Sequence, residues 1–248
     1  MKKNEILQTM LNSRYAHRGL HDKPKIPENS MLAFDRAISE GFGIEFDVHL
    51  TKDKKLAVIH DASLKRTCGV KLQIEKITLQ EAQNYPLEES DETISSFEDV
   101  LSRVGGKVPL IIELKVVEGN QAELVDRVMK VLSTYEGVYG IESFSPPAVS
   151  YLKKNYPQVV RGQLAGCLNK EGKTIPWWQD FLLKNLIVNI SGRPDFVAMR
   201  FEDRKEAGFK RYKGPRFYWT ISQYENLIET EKEGAAPIFE KFNPKEWE

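Results

Sequence analysis

The chain has 248 residues, in which 36 lysines and arginines balance 36 aspartates and glutamates, so its formal net charge is zero. This balance excludes nucleic-acid binding through bulk positive charge, because such binding needs an excess of Lys and Arg. With 41% hydrophobic and 10% aromatic residues, the chain can bury enough surface to fold, which excludes a disordered protein. The length allows one large α/β barrel or two ordinary domains.

The N-terminal segment does not read as a targeting signal. Lys2 and Lys3 are followed by apolar residues that polar side chains interrupt, so a hydrophobic signal region is missing. No window approaches the ~20 apolar residues that a membrane span needs. Cys68 and Cys167 are far apart and match no disulfide or metal-binding pattern. We expect a cytoplasmic protein without stable membrane insertion, and the pattern leaves its oligomeric state open.

Short apolar runs alternate with amphipathic segments along the chain. Residues 30–40 carry apolar side chains at helical spacing, and this helix is expected to stop at Gly41. Residues 43–50 alternate with period two, which predicts a strand with Glu45, Asp47 and His49 on one face. A helix followed by a strand with one polar face is typical of the α/β class.

The alternation continues to the end of the chain. Further strands are predicted at 56–60, 108–115, 137–144, 159–166, 195–199, 216–222 and 236–240. Further helices are predicted at 78–85, 95–104, 120–135, 146–155 and around 177–186. Roughly eight strands alternating with helices favour a closed (β/α)8 TIM barrel, spanning residues 1–248 as a single domain without a large inserted domain. An open doubly wound sheet would call for a Gly-rich phosphate loop, and the sequence has none.

Polar side chains stand at four of the predicted strand ends, where barrels place their catalytic residues. These side chains are His17 and Arg18, Glu45 and Asp47, His60 and Asp61, and Glu113 and Lys115. Three inward carboxylates, Glu45, Asp47 and Glu113, form an oxygen-rich group that suits one hard divalent cation, Mg²⁺ or Ca²⁺. Without a cation these carboxylates would repel one another and lose solvation.

The remaining groups at these strand ends point to phosphoryl chemistry. His17 and His60 can supply a general base and a general acid on opposite sides of one reacting centre. Arg18 and Lys115 supply fixed positive charge for an anionic group. A metal, two cations and a histidine pair suit phosphoryl transfer better than acyl or hydride transfer. A metal-dependent sugar isomerase is an alternative, although it would leave the Arg18 and Lys115 pair without a function.

Several motifs resemble the glycerophosphodiester phosphodiesterase family, in the same order over nearly the whole chain. The matching residues are His17-Arg18-Gly19, Pro27-Glu28-Asn29-Ser30, Glu45-x-Asp47-Val48, Thr51-Lys52-Asp53, His60-Asp61-x-x-Leu64-x-Arg66-Thr67, Glu113-Leu114-Lys115, Glu142-Ser143-Phe144 and Tyr218-Trp219-Thr220-Ile221. The match is dense over residues 15–67 and sparser after Phe144. It implies a barrel that uses a divalent metal to hydrolyse a small glycerophosphodiester substrate to glycerol phosphate and an alcohol.

The resemblance also implies a role for individual residues. Glu45, Asp47 and Glu113 would ligate the metal, and His17 and His60 would be the acid–base pair. Arg18 and Lys115 would hold the phosphate. Glu28 would orient Arg18 or a catalytic histidine, and Glu142 and Trp219 would line the glycerol side of the site.

Two positions depart from the family pattern. Lys54 stands where a glycine is usual, so we expect the turn after residue 53 to be built differently. The last strand, 236–240, lacks the usual Asp-Gly and Thr-Asp ending, so no substrate contact is assigned to the eighth loop. His21 is expected to be a solvated loop residue, and His49 to lie beyond the site.

Two other functions fit the same side chains. The enzyme could act on a lysolipid or phosphoinositide at a membrane surface, with the basic stretch 200–216 attracting headgroups and Trp177 and Trp178 at a lid or tip. A packing helix is the simpler interpretation of these tryptophans. The chain could also be a catalytically silent barrel that binds a phosphate ligand.

Overall fold

The computed structural model describes residues 1–167 and 176–247, and for residues 177–180 only the backbone. Ten strands occur in these residues: β1 (Tyr15–His17), β2 (Gly43–Leu50), β3 (Leu56–Val58), β4 (Ser95–Ser96), β5 (Leu110–Leu114), β6 (Tyr139–Ser143), β7 (Arg161–Ala165), β8 (Phe196–Arg200), β9 (Arg216–Ile221) and β10 (Ala236–Phe239). Eight of them are parallel, and they close a barrel because β1 pairs with both β2 and β10. The predicted (β/α)8 barrel is confirmed.

Eleven α-helices accompany the strands in the described part of the chain. They are α1 (Lys3–Leu11), α2 (Met31–Ser39), α3 (Lys65–Cys68), α4 (Leu79–Ala82), α5 (Phe97–Val104), α6 (Gln121–Leu132), α7 (Pro146–Asn155), α8 (Trp177–Lys184), α9 (Asn189–Gly192), α10 (Ala207–Arg211) and α11 (Tyr224–Lys232). Capping begins several of them: Ser30 accepts the amide hydrogen of Ala33 at the start of α2. Among the described residues, no helix combines the length and apolar character that crossing a membrane requires.

The barrel interior is filled by alternate side chains of its strands. Leu164, Phe196 and Phe217 belong to one buried cluster, to which α1 contributes Met10. Residue 140 is a glycine, and the Met10 side chain occupies the space that a larger side chain there would need. Since apolar layers fill the interior, the polar residues at the carboxyl ends of the strands form its top layer.

The segment between β2 and β5 is an excursion outside the barrel. The strand expected at 56–60 exists as β3, but it pairs antiparallel with β2, and β4 pairs antiparallel with β3. The helix expected at 95–104 is correspondingly shorter, because its first two residues form β4. The excursion has its own small core, which includes Leu64, Ile74 and Leu87.

The turn between β2 and β3 is formed around Lys54. Lys54 itself adopts the left-handed conformation, with φ +62°, which glycine takes at the least steric cost. The Thr51 hydroxyl donates to the Lys55 carbonyl oxygen at 3.0 Å and accepts from the Lys55 amide at 3.1 Å. Lysine therefore takes the glycine's place in this turn, and side-chain hydrogen bonds hold the turn around it.

Candidate active site

Strand register brings the polar residues of four neighbouring strands to one end of the barrel. His17 lies opposite Glu45 in the β1–β2 pair, and Asp47 lies opposite Glu113 in the β2–β5 pair. Glu113 in turn lies opposite Glu142 in the β5–β6 pair. Residues that face each other in a sheet share one side of it, so these side chains converge on the barrel mouth.

Glu45, Asp47 and Glu113 form a buried carboxylate group. Each offers an oxygen, and these oxygens all lie within 4.8 Å of one another. Burial and the neighbouring charges of Asp47 and Glu113 raise the pKa of the Glu45 carboxyl well above its ordinary value. Burial would also raise the pKa of Asp47, but Lys115 and Arg18 hold it well below its usual range.

These three carboxylates fit a hard divalent cation. The Asp47 Oδ1 atom is buried and has no well-aligned hydrogen bond, although the Lys115 Nζ lies 3.0 Å away. Its lone pairs are therefore open to a further electrostatic partner. Three carboxylate oxygens in this arrangement are a ligand set that Mg²⁺ and Ca²⁺ accept.

His17 and His60 line the same cavity, and each has a carboxylate at its Nδ1 atom. His17 Nδ1 lies 2.8 Å from Glu240 Oε2, and its Nε2 lies 3.8 Å from Glu45 Oε2. His60 Nδ1 lies 2.6 Å from Asp61 Oδ1. Burial lowers the pKa of both imidazoles, that of His60 to about 4. Both rings can therefore present Nε2 to a bound molecule.

Glu28 is the centre of a cationic cluster beside the cavity. Its carboxylate is buried and accepts hydrogen bonds from Arg18 at 2.9 Å, from Lys23, and from two nitrogens of Arg66. The Arg18 backbone amide donates to Glu45 Oε2 at 3.1 Å. Glu28 thus restrains the Arg18 guanidinium next to the carboxylate group.

Lys115 lies between two of the carboxylates. Its Nζ is 2.7 Å from Glu113 Oε1 and 3.0 Å from Asp47 Oδ1. Burial alone would lower the pKa of Lys115, but the charges of Asp47 and Glu113 raise it above its ordinary value. The ammonium group is therefore charged at the mouth of the barrel.

Glu142 and Trp219 line a cavity of about 220 Å³. Burial raises the pKa of the Glu142 carboxyl well above its ordinary value, with Glu113 as the next cause. Glu142 Oε2 and Trp219 Nε1 are buried without a hydrogen-bond partner among the described residues. An unpaired carboxyl oxygen and an unpaired N–H that line one cavity suit the hydroxyl groups of a ligand.

Two residues of the quoted motifs have structural roles that the sequence reasoning missed. Asn29 donates from Nδ2 to Asp47 Oδ2 at 2.9 Å while its backbone has φ +56°, a conformation that Asn tolerates better than most residues. Gly19 has φ +80°, and a Cβ there would lie 2.8 Å from the Ala33 Cβ. The sequence signal for these roles was that Asn29 and Gly19 both lie inside the family motifs.

Two further histidines were only partly understood from the sequence. His49 does not join the carboxylate group: its Nδ1 lies 2.7 Å from Glu75 Oε1 and its Nε2 3.1 Å from the His60 carbonyl oxygen. The expectation that His21 is solvated is wrong, because only 9% of its side chain is exposed. The side chains of Trp177 and Trp178 lie outside the described residues.

Comparisons with known proteins give a consistent result. A model of the glycerophosphoryl diester phosphodiesterase family matches residues 17–175. A glycerophosphodiester phosphodiesterase of Caldanaerobacter subterraneus subsp. tengcongensis is 30% identical over 238 residues, covering 90% of this chain and 91% of that protein. A lysophospholipase D of Rattus norvegicus is 29% identical over 142 residues, covering 52% of this chain and 43% of its own length.

Solved structures share the fold. An Oleispira antarctica phosphodiesterase in complex with the product sn-glycerol-3-phosphate aligns with a TM-score of 0.78 at 20% identity, covering 96% of each chain. A Thermotoga maritima glycerophosphodiester phosphodiesterase aligns with a TM-score of 0.68 at 24% identity, covering 91% of this chain and 92% of that one. At these identities the structural likeness supports the barrel architecture.

Proposed function

This chain belongs to the glycerophosphoryl diester phosphodiesterase family, and on that premise we propose that it hydrolyses glycerophosphodiesters to glycerol phosphate and an alcohol. The predicted class, a phosphoric diester hydrolase, is confirmed by the family and by the relative of nearly equal length. The observation that carries the detailed proposal is the placement of two histidines around one cavity that Glu45 and Glu113 of the carboxylate group also line.

Glu45, Asp47 and Glu113 hold one divalent cation, Mg²⁺ or Ca²⁺, in this proposal. The cation, when bound, supplies positive charge to the phosphate oxygens. Arg18 and Lys115 add two fixed positive charges beside it, Arg18 as a planar fork and Lys115 as a point charge. The contacts of Glu28 with Arg18 support its role in orienting the fork.

His60 and His17 move the protons. With a pKa of about 4, His60 is neutral at neutral pH and can accept a proton from the attacking hydroxyl. We assign proton donation to the departing alkoxide to His17. Burial and Arg18 lower the pKa of its imidazole, and the Glu240 carboxylate at its Nδ1 opposes this lowering. Water and a glycerol hydroxyl of the substrate are both compatible nucleophiles in this arrangement.

The glycerol end of the substrate occupies the cavity lined by Glu142 and Trp219. Among the described residues, Glu142 Oε2 and the Trp219 indole N–H have no hydrogen-bond partner, so glycerol hydroxyls can satisfy them. A cavity of about 220 Å³ whose wall also includes Phe144, Leu164 and Ile238 has room for a glycerol moiety.

The two alternatives receive less support. Part of the basic stretch 200–216 is committed to the protein itself, since Arg204 pairs with Glu229 and Glu233, which reduces its capacity to attract lipid headgroups. A silent phosphate-binding barrel would not need a carboxylate at the Nδ1 atom of each histidine. A cytoplasmic location stays a prediction.

A substrate panel tests the proposal directly. Purified protein is incubated with glycerophosphocholine, glycerophosphoethanolamine and a lysophosphatidylcholine, in Mg²⁺, in Ca²⁺ or in EDTA. We expect glycerol phosphate from the first two substrates, loss of activity in EDTA, and recovery with one of the cations. Activity that survives EDTA, or that appears only with the lysolipid, would contradict the proposal.

A further inference from the structure

Glu240 and His17 face each other across the seam where the barrel closes. β1 and β10 run parallel with Ala16 opposite Phe239, so the next position on each strand places His17 beside Glu240. The Glu240 amide donates to the Ile221 carbonyl oxygen at 2.9 Å. This bond continues the β9–β10 ladder beyond β10, and it anchors the Glu240 backbone to the sheet.

Strand alternation directs the Glu240 side chain toward the cavity. Ile238 belongs to the interior cluster and Phe239 to the cluster between strands and outer helices. Because side chains alternate along a strand, residue 240 shares the interior side with residue 238. Its Oε2 lies 2.8 Å from His17 Nδ1 and 3.9 Å from His21 Nε2, and 19% of the side chain is exposed.

We propose that Glu240 is a positioning residue that fixes the ring orientation and tautomer of His17. A carboxylate can only accept a hydrogen bond, so the close contact requires the hydrogen to be on Nδ1. The Nε2 atom is then the one that exchanges a proton with a ligand, and it already points into the cavity toward Glu45. The inference rests on the proposed hydrolysis, and it assigns a function to a strand ending that departs from the family pattern.

A purely structural role for Glu240 makes different predictions. If the contact only stabilised the seam, its removal would lower the free energy of unfolding and leave the turnover of the folded fraction unchanged. If Glu240 positions His17, its removal lowers kcat while KM changes little, because the substrate contacts stay in place. The hydrogen on Nδ1 is also directly observable by NMR of the imidazole.

The experiment compares Glu240→Ala and Glu240→Gln with the control Glu246→Ala. Glu246 is exposed and follows on the same terminal segment. For glycerophosphocholine we expect kcat to fall about 100-fold in Glu240→Ala, with KM changed less than about threefold. In Glu240→Gln we expect kcat to fall about tenfold, since the glutamine amide oxygen still accepts a hydrogen bond but carries no charge. Glu246→Ala keeps the wild-type kcat.

The ring of His17 is followed in parallel by ¹⁵N NMR, with His17→Asn used to assign its resonances. The hydrogen-bonded Nδ1–H signal is expected in the wild type and in Glu246→Ala, and its loss is expected in Glu240→Ala. An unchanged kcat in Glu240→Ala, an equal loss in Glu246→Ala, or an unchanged Nδ1–H signal would overturn the inference. A wild-type protein that releases no glycerol phosphate would count against the proposed hydrolysis. The NMR measurement needs no substrate, so the Nδ1–H signal would still decide whether Glu240 sets the tautomer of His17.

Discussion

The Arg66 guanidinium holds the Glu28 carboxylate through two hydrogen bonds, at 2.9 Å and 2.6 Å. The Nε of Arg66 donates a third, to Asp61 at 2.6 Å, and Asp61 is bonded to His60. Glu28 also accepts from Arg18. A continuous chain of polar contacts therefore connects His60, which lies outside the barrel strands, with the Arg18 guanidinium just after β1.

Glu28→Gln is expected to destabilise the fold. The substitution leaves Arg18, Lys23 and Arg66 without their shared anion in a place where Glu28 is only 3% exposed. Breaking a buried ion pair by removing one partner costs about 3 kcal/mol, and urea unfolding at pH 7 measures this loss. Glu89→Gln, at an exposed site, is the control and should change stability by less than about 0.5 kcal/mol. Equal stability of both variants would contradict the central role of Glu28.

The same pairing predicts a dependence of stability on pH. Burial would raise the pKa of Glu28, but Arg66 and Arg18 hold it well below the ordinary value of 4.5. A carboxyl whose pKa is lower in the folded state stabilises the fold above its unfolded pKa, and this contribution is lost as the pH falls below it. Between pH 7 and pH 3 the wild type should therefore lose more stability than Glu28→Gln. Parallel losses in urea unfolding would be evidence against the shift.

Addition of Mg²⁺ or Ca²⁺ is expected to raise the melting temperature. A cation at 100 times its Kd adds about 2.7 kcal/mol of stability if it binds only the folded state. Protons compete for Glu45, whose pKa is raised by burial and by its carboxylate neighbours, so the increase should shrink as the pH falls. Scanning calorimetry at pH 8 and pH 5 measures it. Asp47→Asn should abolish the increase and the exposed control Glu118→Gln should retain it; the reverse pattern would rule out this site.

The effect of substituting each histidine should depend differently on the leaving group of the substrate. Substitution of either residue by Ala is expected to lower kcat/KM for glycerophosphocholine by about 10²–10⁴-fold. With a glycerophosphoryl nitrophenyl ester, whose leaving group needs no proton at neutral pH, the His17→Ala loss should fall below about tenfold. The His60→Ala loss should remain, because the nucleophile still needs a base. If His60→Ala is the variant rescued by the nitrophenyl ester, the assigned roles are exchanged.

The pH profile reports on His60. Burial is the main reason that its pKa is lowered to about 4, and only the neutral ring can accept a proton. At saturating cation, the acid limb of the kcat/KM profile should be centred near pH 4, and an alkaline limb should follow the loss of the proton that His17 donates. A decline centred near the ordinary histidine value of about 6.5 would indicate that His60 is not the base.

Trp219→Phe should weaken recognition of glycerol specifically. The change removes the indole N–H but keeps an aromatic ring against Phe144, which now lies 5.7 Å away between ring centres. Loss of one hydrogen bond of about 1 kcal/mol predicts a KM about fivefold higher for glycerophosphocholine. A diester without glycerol, bis(nitrophenyl) phosphate, should show no change, and Trp247→Phe at an exposed position serves as the control. Equal effects on both substrates would argue against a glycerol contact.

The amino-acid sequence by itself determined most of the barrel strands and the main group of polar residues, although β1, α1 and α11 were not among the predicted ranges. Period-two alternation placed Glu45 and Asp47 on one face of β2, and the helical spacing of apolar residues located α2. These are local patterns, because they depend on backbone geometry over a few residues. The barrel followed from the order of the elements.

The tertiary structure decided which distant residues meet. His17 and Glu240 are 223 positions apart and touch only because the barrel closes between β1 and β10. Residues 56–60 were expected among the barrel strands, whereas residues 56–58 fold back on β2, because a short apolar run fits both arrangements. Contacts of this kind depend on sheet register and closure, which arise from the packing of the whole chain.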